Sequence, residues 1–252
     1  MIRQILKHIS VLLPIALACS TCFGQFKEIN PREGRLKGKV DSVVFNNFNF
    51  IKSDTGEVRE FNDKCTYVYN AKGFLIEELS SDEEGTDQEI FKTVYIYDAK
   101  GDHSQVLDYG QKGILQKKEI YTFDPAKRLV KMSAAGTVTT KIQLDKSGNI
   151  TENIIYHKYP LPFSTFRYRY NREGLCIESI QSWSKSAGLQ KISYEYDTYG
   201  NLIQETIDNN SKLSCTYTYR YSQYDKMGNW LIQHTYKNGT PDGVTERSIH
   251  YQ

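Results

Sequence analysis

The sequence predicts an all-β fold: repeated antiparallel β-hairpins joined into one long, curled meander sheet, an open shell or barrel-like. Seven aromatic-rich runs end in the same short turn, at Asn70, Asp98, Asp124, Asp145, Asn171, Asp197 and Asp225, with Gly three residues later in six of them. These turn residues recur every 21 to 28 positions, a unit that holds two strands of ordinary length and two turns. Tyr and Phe, at 19 and 11 of 252 residues, suit a pleated surface.

The elements follow in chain order. Val40 to Lys52 and Glu57 to Asn70, around Ser53-Asp54-Thr55-Gly56, read as a starting hairpin. In each later unit Asp or Asn accepts hydrogen bonds from backbone N–H groups ahead of it. The Gly then supplies the left-handed residue that closes a type I turn with a G1 bulge. The third unit departs, with Pro125 inside the turn and Lys127 in the Gly position, so a different turn type is expected there. Period-2 alternation places on one face Tyr67 with Tyr69, Tyr95 with Tyr97, Tyr121 with Phe123, Ile142 with Leu144, Tyr168 with Tyr170 and Tyr194 with Tyr196. The seventh unit carries one extra residue between Tyr221 and Tyr224, which predicts a bulge. Five residues after each turn Asp or Asn stand Leu75, His103, Leu129, Ile150, Cys176, Leu202 and Trp230. Each is expected across from the aromatic residue before its turn. Polar segments join the hairpins at the other end, the last being Lys237 to Gly243, and Arg247 to Tyr251 reads as a truncated final strand.

Residues 1–24 have the pattern of a secretory signal: basic Arg3 and Lys7, an apolar Ile9 to Leu17, then small Ala16, Ala18 and Gly24. Residues 25–39 read as a linker and 40–252 as the β domain. Two processing routes stand open. One is cleavage before Gln25; the other is lipid attachment at Cys19, because Ala16-Leu17-Ala18-Cys19 resembles a lipobox. The expected location is exported: periplasmic, cell-surface or extracellular. Cleavage before Gln25 leaves Cys65, Cys176 and Cys215, an odd number that reads as buried free thiols.

Chemistry is sparse. A net charge of +2 gives no electrostatic case for nucleic acid. The histidines are scattered without metal-ligand spacing, no cofactor motif is present, and His103 and His234 are expected on the Tyr-bearing face. Glu77, Glu152 and Glu178 recur seven residues after their turn residue and read as partners for Tyr hydroxyls or Lys. The expectation is therefore a protein that is not an enzyme, a binding or scaffold module at the cell envelope. Its partner face would hold Tyr69, Tyr97, Tyr168, Tyr170, Tyr194, Tyr196 and Trp230, facing a glycan, a peptide or another envelope protein. The membrane would be met only through a lipid at Cys19. Alternatives are an outer-membrane β-barrel and a hydrolase using the recurring Glu residues.

Tyr194-Glu195-Tyr196-Asp197-Thr198-Tyr199-Gly200-Asn201-Leu202 and, more loosely, Tyr95 to Gly101 and Tyr168 to Gly174 resemble the YD repeats of the RHS family. The resemblance covers residues 67–236 and implies a sheet built like part of that family's spiralling β-shells. The units here are longer and the array far shorter than a toxin-enclosing shell needs, so toxin delivery is not implied.

Overall fold

The computed structural model describes residues 36–53, 56–81, 91–99, 103–184, 188–209 and 214–252. The signal segment and Cys19 lie outside them. Sixteen strands are found among the described residues: β1 (Val40–Ser53), β2 (Gly56–Tyr69), β3 (Leu75–Ser81), β4 (Phe91–Tyr97), β5 (His103–Tyr109), β6 (Leu115–Asp124), β7 (Leu129–Ala134), β8 (Thr137–Leu144), β9 (Ile150–Lys158), β10 (Leu161–Tyr170), β11 (Cys176–Trp183), β12 (Leu189–Tyr196), β13 (Leu202–Asp208), β14 (Cys215–Tyr224), β15 (Trp230–Lys237) and β16 (Thr240–Tyr251). Every strand is antiparallel to its chain neighbours, and β1 pairs with β16, so the meander closes into a barrel.

The turns form as their side chains dictate. Oδ1 of Asn171 accepts the N–H groups of Glu173 and Leu175 at 3.0 and 2.9 Å. Asn70, Asp145, Asp197 and Asp225 do the same two and four residues ahead. Gly174, at φ +77°, closes its turn in the left-handed region, where a side chain would be strained. The cross-turn pairs are those expected: Tyr69 with Leu75, Tyr97 with His103, Leu144 with Ile150, Tyr170 with Cys176, Tyr196 with Leu202 and Tyr224 with Trp230. In the third unit Arg128 takes the left-handed conformation at φ +49°, and Phe123 pairs with Val130 instead of Leu129. In the seventh, Gln223 takes φ +51° and is passed over together with Leu231, so the pairing of β14 with β15 keeps one register throughout and the expected bulge does not shift it.

Two further expectations need correction. The final strand is not truncated: Asn238-Gly239 alone makes the turn, and β16 runs from Thr240. His234 pairs with Arg220 and Val244, on the face away from the Tyr columns. The irregular step after Trp230 sets that phase, since Trp230 and Gln233 are both buried.

Closure uses an eighth turn split between the two ends of the β-sheet domain. Gln252 N–H donates to the Lys39 carbonyl at 3.0 Å, as Asn171 N–H donates to Leu175 at 2.9 Å. Gly38 has φ +90°, matching the turn glycines, and Tyr251 pairs with Val40 as Tyr170 pairs with Cys176. In an intact turn the second N–H goes to the turn's own Asp or Asn. Here Lys37 N–H goes instead to Asn229 Oδ1 of the preceding turn at 2.8 Å, and Asn229 Nδ2 returns a bond to the Lys37 carbonyl at 2.9 Å.

Candidate functional site

The two main clusters of buried apolar side chains and the Tyr columns share one face, which the closed sheet turns inward. Val43, Phe45, Tyr69, Leu75, Tyr95, Val106 and Trp230 form one apolar strip, and Val130, Ile142, Leu144 and Ile150 form another. Both strips run along contiguous strands. Sixteen strands enclose more width than wall side chains fill, as in barrels of porin size, so the inner face lines a lumen.

Two rings of Tyr organise that lining. Next to the turns, the Tyr hydroxyl reaches back to the carbonyl that opens the second strand of the preceding hairpin. Tyr97 donates to Leu75 at 2.5 Å, Tyr170 to Ile150 at 2.7 Å, Tyr196 to Cys176 at 2.6 Å and Tyr221 to Leu202 at 2.6 Å. Burial pushes the Tyr170, Tyr196 and Tyr221 hydroxyls well above their ordinary pKa, so they remain donors. In the second ring the hydroxyl meets a side chain eight residues after the preceding turn residue. Tyr95 donates to Glu78 at 3.1 Å and Tyr219 to Glu205 at 3.0 Å, and Tyr194 lies 3.1 Å from the Ser179 hydroxyl. Burial raises the Glu78 pKa; the Tyr95 bond opposes it and Asp108 adds to it.

Of the seven residues that the sequence singles out, Tyr97, Tyr168, Tyr170, Tyr194 and Tyr196 are half-buried on this inner face. Tyr69 and Trp230 are packed into the wall, at 4% and 2% exposed. Trp230 lies under the Arg247 guanidinium, 3.6 Å from its ring centre. The recurring acids do not serve the Tyr hydroxyls. Glu77 pairs with Lys92 at 2.9 Å, Glu152 with Arg167 at 3.0 Å, and Glu178 with Arg169 at 3.4 Å and Lys191 at 2.6 Å, all on the outer face. The Tyr partners Glu78 and Glu205 stand one position further on. They fall on the inner face because alternation sends neighbouring positions to opposite faces.

None of Cys65, Cys176 and Cys215 is in a disulfide, but only Cys176 is buried as expected; Cys65 and Cys215 are half-buried. Burial pushes the Cys176 thiol up to about 12, which leaves it inert. Among the described residues no group of His, Cys, Asp and Glu side chains could hold a metal ion.

No family model matches the chain, and no curated protein matches it. Among solved structures it is similar to a porin-like protein from Bacteroides uniformis, 13% identical with a TM-score of 0.40, covering 85% of this chain and 99% of that one. It is also similar to chains of a Photorhabdus luminescens Tc holotoxin pore, at 14% identity and TM-score 0.33, and of the TcdB2–TccC3 complex, at 12% and 0.32. The chain spans 12% of each of these two toxin chains.

Proposed function

We propose that the chain is an exported, non-enzymatic binding barrel of the cell envelope, whose Tyr-lined lumen holds a glycan or a peptide. The observation that carries this is the pair of Tyr rings. Their hydroxyls are tied to backbone carbonyls and fixed side chains, so the aromatic faces stand preorganised along the lumen, and rigid aromatic area costs little entropy to use. The likeness of the turns to YD repeats is read as one of architecture. Mature protein of residues 25–252, screened on glycan and peptide arrays, should bind members of one class, and Tyr168→Ala with Tyr194→Ala should abolish that binding while the fold survives. Silence on both arrays overturns the reading.

An outer-membrane barrel is the second reading, favoured by closure at sixteen strands. Its difficulty is the outer face. Arg167, Arg169 and Lys191 are 70%, 68% and 45% exposed, and each Arg or Lys facing lipid at mid-depth costs about 2–4 kcal/mol. Strands β3 to β5 have 7 residues each, where a spanning strand needs about 9–11. Refolding into liposomes with a heat-modifiable band on gels would establish the membrane reading; recovery of folded protein without detergent would remove it.

A further inference from the structure

The pattern of the second Tyr ring breaks at one place. Where Tyr95, Tyr194 and Tyr219 each meet a partner eight residues past the preceding turn residue, the equivalent position for Tyr168 is Asn153, which lies opposite Phe166, and no bond between Tyr168 and Asn153 is found. The Tyr168 ring stacks on Phe166 instead, at 7° between planes. The Asn153 Oδ1 is buried with no hydrogen-bond partner, and the Tyr168 hydroxyl has none among the described residues. Beside this break, between the fourth and fifth turns, lies a cavity of about 540 Å³ lined by Asn149, Tyr168, Tyr170, Arg169, Arg172 and Gly174 among others.

A third polar atom is left over there. Asn149 is 6% exposed; its Nδ2 donates to Asp145 at 2.9 Å, but its Oδ1 is buried without a partner. That oxygen lies toward Gly174, where an added methyl would stand 3.9 Å from it. The equivalent Asn229 shows what such an oxygen accepts, because it takes the N–H of Lys37. Arg172 makes no ion pair among the described residues, and Arg169 is held only at 3.4 Å by Glu178. Of the two lining acids, Asp145 is spent on its turn, accepting from Ser147 N–H, Asn149 N–H and Asn149 Nδ2. Glu173 also lines the cavity and is itself engaged.

We infer that this cavity takes a carboxylate-bearing sugar, a uronic acid residue of a polysaccharide. A sugar hydroxyl would donate to Asn149 Oδ1, a second would exchange a bond with Tyr168, the ring would lie against Tyr170 and the carboxylate would meet Arg172. A neutral sugar leaves the guanidinium unanswered, and an anion without a proton to give, such as sulfate, brings no donor for Asn149. This rests on the glycan side of the lumen reading and adds the sugar's charge and the place where it is read.

Calorimetric titration of residues 25–252 with trigalacturonate, galactotriose and triglutamate tests it. Trigalacturonate should bind about tenfold or more tighter than galactotriose, the worth of one charge-assisted hydrogen bond. Arg172→Gln, an exposed turn substitution, should erase that preference, Tyr168→Phe should weaken trigalacturonate a few-fold, and Glu173→Gln should strengthen it. Equal binding of the two saccharides, an unaffected Arg172→Gln variant, or triglutamate binding as tightly as trigalacturonate each overturns the inference. Galactotriose binding that is lost with the Tyr168 and Tyr194 variants, without a carboxylate preference, would sink this inference and leave the lumen reading standing. Saccharides and arrays both silent would sink the two together.

Discussion

The two Tyr rings lie a few ångströms apart on the same wall, yet they do different work. The ring beside the turns spends its hydroxyls on backbone carbonyls, at Leu75, Ile150, Cys176 and Leu202. A carbonyl is present whatever the sequence, so this contact repeats regularly. The second ring meets side chains, Glu78, Ser179 and Glu205, and can differ from unit to unit. The first ring holds the hairpins together, while the second is where the units can be made unlike, and at Tyr168 one of them is left without a bond.

Four substitution experiments would break or sharpen that division. The largest effect belongs to the packed wall itself. Trp230→Ala, removing a 2% exposed ring beneath Arg247, should cost about 3–5 kcal/mol in urea unfolding; a loss below 1 would mean that the strip is not a core. Next comes the split turn, where Asn229→Ala orphans the Lys37 amide and carbonyl and should cost about 2 kcal/mol. Asn201→Ala, at an intact turn, should cost visibly less, and equal losses would show that the two ends of the domain do not depend on this side chain.

The division between the rings is tested most directly by deleting hydroxyls. Tyr170→Phe and Tyr196→Phe should each cost about 1 kcal/mol, and Tyr168→Phe close to nothing. A loss at Tyr168 as large as at Tyr170 would erase the distinction. The smallest effect is in pH. At Asp145 and Asp225, burial alone would raise the pKa. The bonds each receives, from Asn149 and Ser147 in one case and from Tyr251, Asn229 and Met227 in the other, outweigh it and hold the carboxyl below its ordinary value. Their contribution is present above the unfolded pKa near ~4 and is lost as pH falls through the lower folded value. Glu78 has the opposite sign: its raised pKa gives stability that is full below the unfolded value and is lost as pH rises through the folded one. Glu78→Gln should therefore stabilise at pH 7 and not at pH 4, measured by thermal unfolding at both.

Much of the hairpin geometry was legible from local chemistry. An Asp or Asn that bonds the N–H groups two and four residues ahead closes its ring within five residues, so turn, bulge and cross-turn pair can be read off one short stretch. The inward Tyr columns follow from alternation alone. The start of β16 was misplaced because Thr240 to Gly243 reads as loop composition, and its pairing with β15 and β1 is what makes it strand. The site residues divided similarly. Tyr97, Tyr168, Tyr170, Tyr194 and Tyr196 could be placed on one face, but whether each hydroxyl finds a carbonyl, a side chain or nothing depends on the neighbouring hairpin.

By itself the sequence determined the unit: its strands, its turn, its bulge and the face its aromatic residues share, because each depends on contacts within one hairpin. The tertiary structure decided that the array closes at sixteen strands, through an eighth turn assembled from Gly38-Lys39 and Tyr251-Gln252. Gln252 does stand 27 residues after Asp225, within the spacing of the repeats. Yet joining ends more than 200 residues apart is a matter of accumulated twist and stagger around the whole sheet, and no single unit encodes it. The same holds for the gap at Tyr168 and Asn149, which exists only between two units that are each complete.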